Sequence, residues 1–245
     1  MKYGICLLIA LLAFPFTART QDAVKVLEAV DANMTYKTSI SESEMVIHGR
    51  RKSRKVVSRS YGEGKDKNFT EYLAPTREEG TKMLKLEDHL WIYSPSTDRI
   101  IQLSGHMLRQ SVMGSDLSYE DMMEDRELTD LYNAEITGDE DIDGRKTWVL
   151  RLTAKVEDVS YPTRKVRVDQ ERYVPLREER FAKSGQKLKT TVLSDVRKQG
   201  NRWYPMKMSY KDELKAGRRT DFIVKKIEFD QPINEAPFNK AALKR

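Results

Sequence analysis

Apolar side chains recur along this chain with two different periods. Over residues 22–33 they recur every three or four positions, which predicts one amphipathic helix. The apolar positions of this helix are Ala23, Val26, Leu27 and Val30. From about residue 45 onward apolar and polar side chains alternate with a period of two, which is typical of β-strands.

Turn dipeptides separate several of the alternating segments and suit tight hairpins. They are Asp143-Gly144, Ser184-Gly185, Gly200-Asn201 and Ala216-Gly217. Long strands joined by successive hairpins favour one large curved antiparallel sheet or an open barrel over a sandwich. We therefore expect a mainly β (α+β) fold, built as a curved antiparallel sheet or incomplete β-barrel.

One long segment, residues 104–133, interrupts the strand pattern and carries four of the ten methionines. Ser118 or Asp116 could cap a short helix that runs through residues 120–124. Long ordered loops in compact domains are often functional, so this insertion is a candidate lid or plug.

The apolar strand positions and the methionines of the insertion predict a hydrophobic cavity suited to acyl chains. Methionine is favoured where an apolar surface must accept varied shapes, although plain core packing would use the same residues. A register error of one residue would exchange the inner and outer faces of a strand. The cavity candidates are Met45, Ile47, Met83, Trp91, Tyr93, Met107, Met113, Met122, Met123, Trp148, Leu150, Leu152, Met206 and Met208.

The N-terminus has the order of a secretory signal peptide. Lys2 precedes an apolar run over residues 4–16, and small and polar residues follow it. We expect cleavage after Thr20, which leaves one domain over residues 21–245, with a retained membrane anchor as the alternative. Cys6 is the only cysteine, so the processed chain would have neither a disulfide nor a thiol nucleophile.

The chain is basic, with a net charge of +6 that becomes +4 when Lys2 and Arg19 leave with residues 1–20. Export removes most nucleic acid from reach, so anionic lipid headgroups or an acidic partner fit this charge better than nucleic acid does. The basic residues concentrate in the segment 49–59, which is either a solvated hairpin tip or a docking site for a partner or membrane. Arg50, Arg51 and Arg54 are the docking candidates.

Motifs for catalysis or metal binding are weak. Residues 139–144 resemble the first half of a calcium loop, but the position of the required final glutamate is Leu150. Residues 184–187 match S-x-x-K without its companion motifs, and a turn explains them better. His48, His89 and His106 form no known metal motif. We expect no metal, no cofactor and no catalytic residue, while paired carboxylates on distant strands stay open.

Several segments resemble the LolA-like outer membrane lipoprotein-sorting proteins of bacteria, and the resemblance covers essentially the whole chain after residue 20. They are residues 79–86, 90–95, 99–101, 111–121 and 202–206. The block from Gly114-Ser115-Asp116 to Tyr119-Glu120-Asp121 is the most specific of them.

The resemblance implies an incomplete β-barrel whose open side is covered by helices over a hydrophobic cavity. It implies a monomeric, non-enzymatic periplasmic carrier that takes acyl chains of lipoproteins or lipids from an inner-membrane transporter toward an outer-membrane acceptor. The family's prototype uses a cavity arginine in gating, and the resemblance makes Arg99 and Arg109 the gating or headgroup candidates here.

Two other functions stay open at this point. A docking module for an inner-membrane transporter would depend on the basic segment and carry no cargo. A hydrolase of envelope lipids or glycans would need clustered carboxylates or a Ser/His pair at the cavity mouth.

Overall fold

The computed structural model describes residues 16–124, 126–233 and 237–245, and their side chains from Asp22 onward. Helix α1 spans Phe16–Met34 and includes the predicted helix over residues 22–33. The predicted signal peptide covers residues 1–20, of which residues 1–15 lie outside the described residues.

Thirteen strands follow in the described part of the chain, and each pairs antiparallel with its neighbours in one sheet. They are β1 (Thr38–His48), β2 (Ser53–Glu63), β3 (Lys67–Ala74), β4 (Lys82–Leu86), β5 (His89–Ser94), β6 (Arg99–Leu103), β7 (Tyr132–Ile142), β8 (Arg145–Ala154), β9 (Thr163–Asp169), β10 (Pro175–Phe181), β11 (Lys187–Gln199), β12 (Arg202–Asp212) and β13 (Arg219–Phe229).

The strand order is β6-β5-β4-β3-β2-β1-β13-β12-β11-β10-β9-β8-β7. Two hairpin meanders, β1–β6 and β7–β13, are therefore joined through the pairing of β1 with β13. β6 and β7 form the two edges, so the sheet is not closed and the predicted incomplete barrel is confirmed.

All four predicted turn dipeptides lie between consecutive paired strands. The glycine of each has a positive φ, and Asp143 and Gly144 have φ values of 49° and 77°. Two successive positive φ values match the twist of a tight hairpin, so the calcium-like segment is the tip of the β7–β8 hairpin.

Helix α1 packs on the sheet near its β7 edge, and we call the face that it contacts the inner face. Its buried residues Ala23, Val26, Leu27 and Val30 form one apolar cluster with residues of β7, β8 and β9. The strand residues of this cluster that are less than 3% exposed are Leu150, Leu152, Val166 and Val168. Burial of this helix face gives the largest apolar cluster of the described residues.

The segment between the edge strands β6 and β7 also lies on the inner face. It contains 3-10 turns at Gly105–Arg109 and Val112–Gly114, then α2 (Tyr119–Met123) and α3 (Leu128–Leu131). As predicted, Ser118 caps α2, because its side chain accepts a hydrogen bond from Asp121 N while the Asp121 carboxylate accepts one from Ser118 N. We call residues 104–131 the strap, because they connect one edge of the sheet to the other.

The outer face carries a second, smaller apolar layer. The C-terminal 3-10 turn Lys240–Lys244 places Ala242 and Leu243 against Phe69, Leu84 and Trp91. The Lys240 ammonium lies 4.3 Å from the centre of the Trp91 ring. The last residues of the chain therefore cover strands β3–β5 from outside.

A bulge interrupts the two-residue alternation of side chains in β13. Ile223, Ile227 and Phe229 share one parity, but the pairing of β1 with β13 shifts register between Val224 and Lys226. The extra residue reverses the alternation. Phe222 and Val224 therefore face inward before the bulge, and Ile227 faces inward after it.

No helix of the described residues is long and apolar enough to span a bilayer.

Candidate functional site: a cavity with apolar and polar walls

The inner face encloses a cavity of about 560 Å³, within the range of ligand-binding pockets. Its walls come from both meanders, from the C-terminal end of α1 and from the strap around residues 122–128. The curvature of the sheet brings these distant strands around one space.

Small side chains leave this space open on the β1–β3 wall. Ser39, Ser41 and Ser43 occupy successive inward positions of β1, and Ser60 and Thr70 follow on β2 and β3. Ser60 Oγ and Thr70 Oγ1 are 2.8 Å apart and share a hydrogen bond. Serine and threonine side chains are too small to fill the space inside the curved sheet. The small residues of this wall therefore leave the cavity open.

The floor of the cavity, which adjoins this wall through the pairing of β1 with β13, is apolar. It is formed by inward residues of β11, β12 and β13, and the strap adds methionines above it. The apolar lining residues include Met83, Leu90, Met122, Met123, Leu193, Tyr204, Met208, Tyr210, Phe222, Val224 and Ile227. Burial raises the pKa of Tyr210 to about 12, so this ring stays neutral at physiological pH.

Charged side chains line a third wall, on β9 and β10. Arg164 Nη1 lies 3.1 Å from Glu178 Oε1, and Arg180 Nη2 lies 2.9 Å from Glu178 Oε2. Burial alone would raise the pKa of Glu178, but the charges of Arg180 and Arg164 lower it below its usual range. The carboxylate therefore stays ionised between two guanidinium groups.

The strap is tied to this charged wall through Asp121. The Asp121 carboxylate accepts hydrogen bonds from Tyr161 Oη at 2.7 Å, Arg180 Nη1 at 3.1 Å and Lys189 Nζ at 2.5 Å. Its side chain is 5% exposed. Burial would raise the pKa of Asp121, but the charges of Arg180 and Lys189 and its hydrogen bonds hold it well below its usual range.

A second buried aspartate anchors the strap to the middle of the sheet. Asp116 Oδ2 accepts a hydrogen bond from Thr220 Oγ1 at 2.7 Å, and the backbone N–H of Asp116 donates a hydrogen bond to Thr220 Oγ1 at 3.0 Å. Both residues are buried. Asp116 and Asp121 belong to the most specific sequence block, whose acidic residues thus hold the strap across the sheet.

An ion pair crosses the end of the cavity where β2 turns into β3. Lys65 Nζ, in that turn, lies 2.5 Å from Glu127 Oε1, just before α3. Arg126 Nη2 lies 2.8 Å from Glu124 Oε2, and Arg126 Nη1 lies 2.9 Å from Asp158 Oδ2. All five side chains are partly exposed, so solvent and the charged groups meet at this end.

Four of the fourteen predicted cavity residues line the cavity: Met83, Met122, Met123 and Met208. All four are methionines, and Met122 is 39% exposed. A flexible apolar lining of this kind can adapt to chains of different shape.

Two predicted residues face the wrong way. Trp91 and Tyr93 pack with the C-terminal turn on the outer face, whereas Leu90 lies inward in β5. Because Trp91 and Tyr93 are large and aromatic, the sequence pattern suggested that they face inward. The C-terminal segment instead provides an apolar partner for them on the outer face. The correction follows from the two-residue period of a strand, which puts Leu90 and Trp91 on opposite faces.

The other eight predicted residues are packed against protein. Trp148, Leu150 and Leu152 lie beneath α1, and Met206 is buried in the β12–β13 cluster. The remaining four lie beneath or within the strap: Met45, Ile47, Met107 and Met113. They serve as core in this structure because the helix and strap occupy the space in front of them.

The cavity arginines were missed by the sequence interpretation. Arg99 and Arg109 are exposed and do not line the cavity, whereas Arg164 and Arg180 do. Both lie at inward positions of strands, beside Val166 and Glu178 respectively in the two-residue alternation. In β9, Arg164 lies on the face of the strand that is otherwise apolar. A charged residue on such a face was the signal that could have identified Arg164.

The three docking candidates are separated by the structure. Arg54 Nη1 pairs with Glu78 Oε1 at 2.7 Å, and Arg54 Nη2 donates to the carbonyl oxygen of Met113 in the strap. Arg50 and Arg51 are exposed at the tip between β1 and β2. Arg54 is therefore a structural contact of the strap, and the other two face solvent.

A Ser/His pair lies outside the cavity. His48 Nδ1 is 3.2 Å from Ser53 Oγ, and His48 Nε2 is 3.1 Å from Asp221 Oδ2. His48 has the opposite parity to the inward residues Met45 and Ile47, which places the pair on the outer face. Among the described residues no group of His, Cys, Asp and Glu is arranged to hold a metal ion.

Solved structures with the same fold are similar over nearly the whole chain. A domain from Vibrio parahaemolyticus described as outer membrane lipoprotein-sorting has a TM-score of 0.80 at 23% identity, covering 92% of this chain and 100% of that chain. A DUF1329 family protein from Desulfovibrio piger has a TM-score of 0.83 at 24% identity, covering 92% and 99%. A LolA superfamily protein from Nitrosomonas europaea has a TM-score of 0.73 at 21% identity, covering 89% and 98%.

The TM-scores of 0.73 to 0.83 establish a shared fold. No curated protein matches the sequence significantly. A family model with the description "uncharacterized protein" matches residues 64–245, about three quarters of the chain. The chain thus belongs to this DUF1329-like family of uncharacterized proteins and has the LolA-like fold.

Proposed function

We propose that this protein is a non-enzymatic carrier that holds the acyl part of a lipid or lipoprotein in its inner cavity. The observation that carries the proposal is the cavity of about 560 Å³, floored by apolar residues and left open by a serine wall. Each buried CH₂ group contributes about 0.8 kcal/mol, so a long chain gains substantial affinity from such a floor.

The polar walls favour an amphiphile over a plain hydrocarbon as cargo. Arg164 and Arg180 are each paired with Glu178, but Arg180 Nε is buried without a hydrogen-bond partner among the described residues. A headgroup or peptide portion could accept a hydrogen bond from this atom, whereas an acyl chain cannot, and buried polar groups are stable only when they are partnered.

The N-terminal sequence and the LolA-like fold support a periplasmic setting for this carrier. In this proposal the chain is exported to the periplasm by residues 1–20, receives cargo from an inner-membrane transporter and passes it toward an outer-membrane acceptor. It works without metal or nucleic acid and as a monomer.

Lipid analysis tests the proposal directly. We expect organic extraction of protein purified from a bacterial periplasm to release an acyl species in near-stoichiometric amount, identifiable by mass spectrometry. An extract that is empty, and that stays empty after incubation with lipids, would contradict the carrier function.

A cavity-filling variant links the cargo to the cavity. Ser41→Phe places a large ring in the open space, so we expect the variant to fold normally and to retain much less lipid than the wild type. Ile40→Phe is the matched control, because Ile40 points to the outer face of the same strand. Equal lipid content in the two variants would show that the cargo binds elsewhere.

A further inference from the structure

The hairpin tips β1–β2 and β12–β13 form one basic surface at the same end of the sheet. His48 and Arg219, the last and first residues of β1 and β13, are paired directly across the strands. Arg50 Cγ lies 3.7 Å from the position that a side-chain carbon would take at Gly217. Two segments that are 160 residues or more apart in sequence, roughly two thirds of the chain, thus make one rim.

The cations of this rim are largely uncompensated. Arg50, Arg51, Lys52 and Arg218 are exposed, and none of them makes an ion pair within the described ranges of the chain. The acids of the second tip are already paired: Asp212 Oδ2 lies 3.2 Å from Lys215 Nζ, and Glu213 Oε2 lies 2.6 Å from Lys211 Nζ. The surface therefore presents a local excess of positive charge.

An apolar side chain stands among these cations. Leu214, at the β12–β13 tip, is 65% exposed, more than any other large hydrophobic residue of the described chain. The Leu214 backbone N–H donates to Asp212 Oδ1 at 3.0 Å, which fixes the tip conformation that holds this side chain outward. No packing within the described fold accounts for its position.

We propose that this rim, Arg50, Arg51, Lys52 and Arg218 with Leu214, docks the protein on an anionic lipid bilayer. The cations attract acidic headgroups, and each contributes about tenfold or less to partitioning near a charged surface. The leucine enters the interface between the headgroups, as apolar residues of peripheral membrane proteins do. An exposed leucine among unpaired cations suits a bilayer surface better than a protein pocket, since the headgroup region accepts both the charges and the apolar side chain.

Docking by this rim also orients the cavity. The Gly64–Lys65 end of the cavity lies at the other ends of β1 and β2, where Gly64 N donates to Lys37 O. A molecule attached by its tips therefore directs that end of the cavity away from the bilayer, where a protein partner can reach it.

Vesicle co-sedimentation tests the docking surface. We expect the purified protein to bind vesicles of phosphatidylcholine mixed with phosphatidylglycerol, and to bind pure phosphatidylcholine vesicles much less. Replacing Arg50, Arg51 and Arg218 by Gln is expected to reduce the anionic partitioning by at least about tenfold. The matched control replaces the exposed Lys25, Arg151 and Lys198 by Gln, which removes the same charge elsewhere.

A second pair of variants tests the apolar contribution. Leu214→Ser is expected to weaken binding several-fold without changing its dependence on salt, because only the cationic part is screened by ions. Val192→Ser, at another exposed apolar residue, is the control and is expected to bind like the wild type.

The outcomes separate this proposal from the carrier proposal, since vesicle binding needs no cargo. If the rim triple variant and the control triple variant bound anionic vesicles equally, the rim would not be the docking site. A second contradicting outcome has two parts. The protein would bind anionic and neutral vesicles equally, and it would capture an acidic protein that the Arg50, Arg51 and Arg218 variant no longer captures. That outcome would show that the rim binds a protein and not a lipid bilayer.

Discussion

Asp121 shows at the scale of one residue how the strap is held. It concentrates hydrogen bonds from Tyr161, Arg180 and Lys189 in a site that is nearly closed to solvent. Buried ion pairs are weak sources of net stability, but removing one partner is costly because the other charge stays buried. Asp121 is therefore more sensitive to substitution than the surface carboxylates are.

We predict that Asp121→Asn lowers the free energy of unfolding by about 3 kcal/mol at neutral pH, because Arg180 and Lys189 lose their shared counter-charge. Asp158→Asn is the control. Its side chain is 77% exposed and pairs with Arg126, so its loss should cost less than about 1 kcal/mol. Denaturant titrations of the two variants and the wild type measure the difference.

The same carboxylate predicts a pH dependence. Its pKa is lower in the folded state than in the unfolded state, so its stabilising contribution is complete above the unfolded pKa of about 3.9 and is lost as the pH falls further. The stability gap between wild type and Asp121→Asn should be constant from about pH 7 to pH 5 and narrow below about pH 4. A gap that is unchanged at about pH 3 would contradict the low pKa.

The strap is the element in which sequence pattern and tertiary structure meet. Its capping box, Ser118 with Asp121, is local and was predictable from residue spacing. Its attachment to β13 through Thr220 is not local, because Asp116 and Thr220 are 104 residues apart. Only the fold brings the two together.

We predict that Thr220→Val destabilises the protein by about 1–3 kcal/mol, because it leaves the buried Asp116 without its hydroxyl donor. Hydrogen exchange should accelerate in residues 104–124 more than in β8 or β9. Thr153→Val, at an exposed position of β8, is the control and should change neither measurement. Uniform acceleration across the sheet would show that Thr220 supports the sheet and not the strap in particular.

Helix α1 and strands β7–β9 form a separate supporting element. Leu150 is fully buried in this cluster, although the sequence pattern predicted a place in the cavity. Leu150→Ala should lower the free energy of unfolding by about 2–5 kcal/mol while the folded protein keeps its bound lipid. Thermal unfolding and lipid content, measured on the same sample, check this. If the variant stayed stable but lost its lipid, Leu150 would be part of the cavity lining and not of the core.

At the scale of the whole molecule, the sheet separates three surfaces. The inner face holds the cavity, the outer face holds the C-terminal turn, and the hairpin tips at one end hold the basic rim. The proposed cargo binding and the proposed membrane docking therefore use different residues. Ser41→Phe and the rim triple variant should each remove one property and leave the other.

The periodicity and turn dipeptides of the sequence were enough for the general architecture. A period of two, interrupted by tight turns, permits only strands joined in succession, because backbone pairing and side-chain alternation act between near neighbours. The helix at residues 22–33, the capped helix of the strap and the open antiparallel sheet were all predictable on this basis.

The lining of the cavity was decided by tertiary structure. Alternation shows which residues share a face but not which face is inside, so Trp91 was assigned to the wrong side and Leu90 was overlooked. Leu150 and Met45 share the inward face with the cavity residues, yet α1 and the strap cover them. Burial depends on what packs in front of a residue, and that partner is set by contacts between distant segments of the chain.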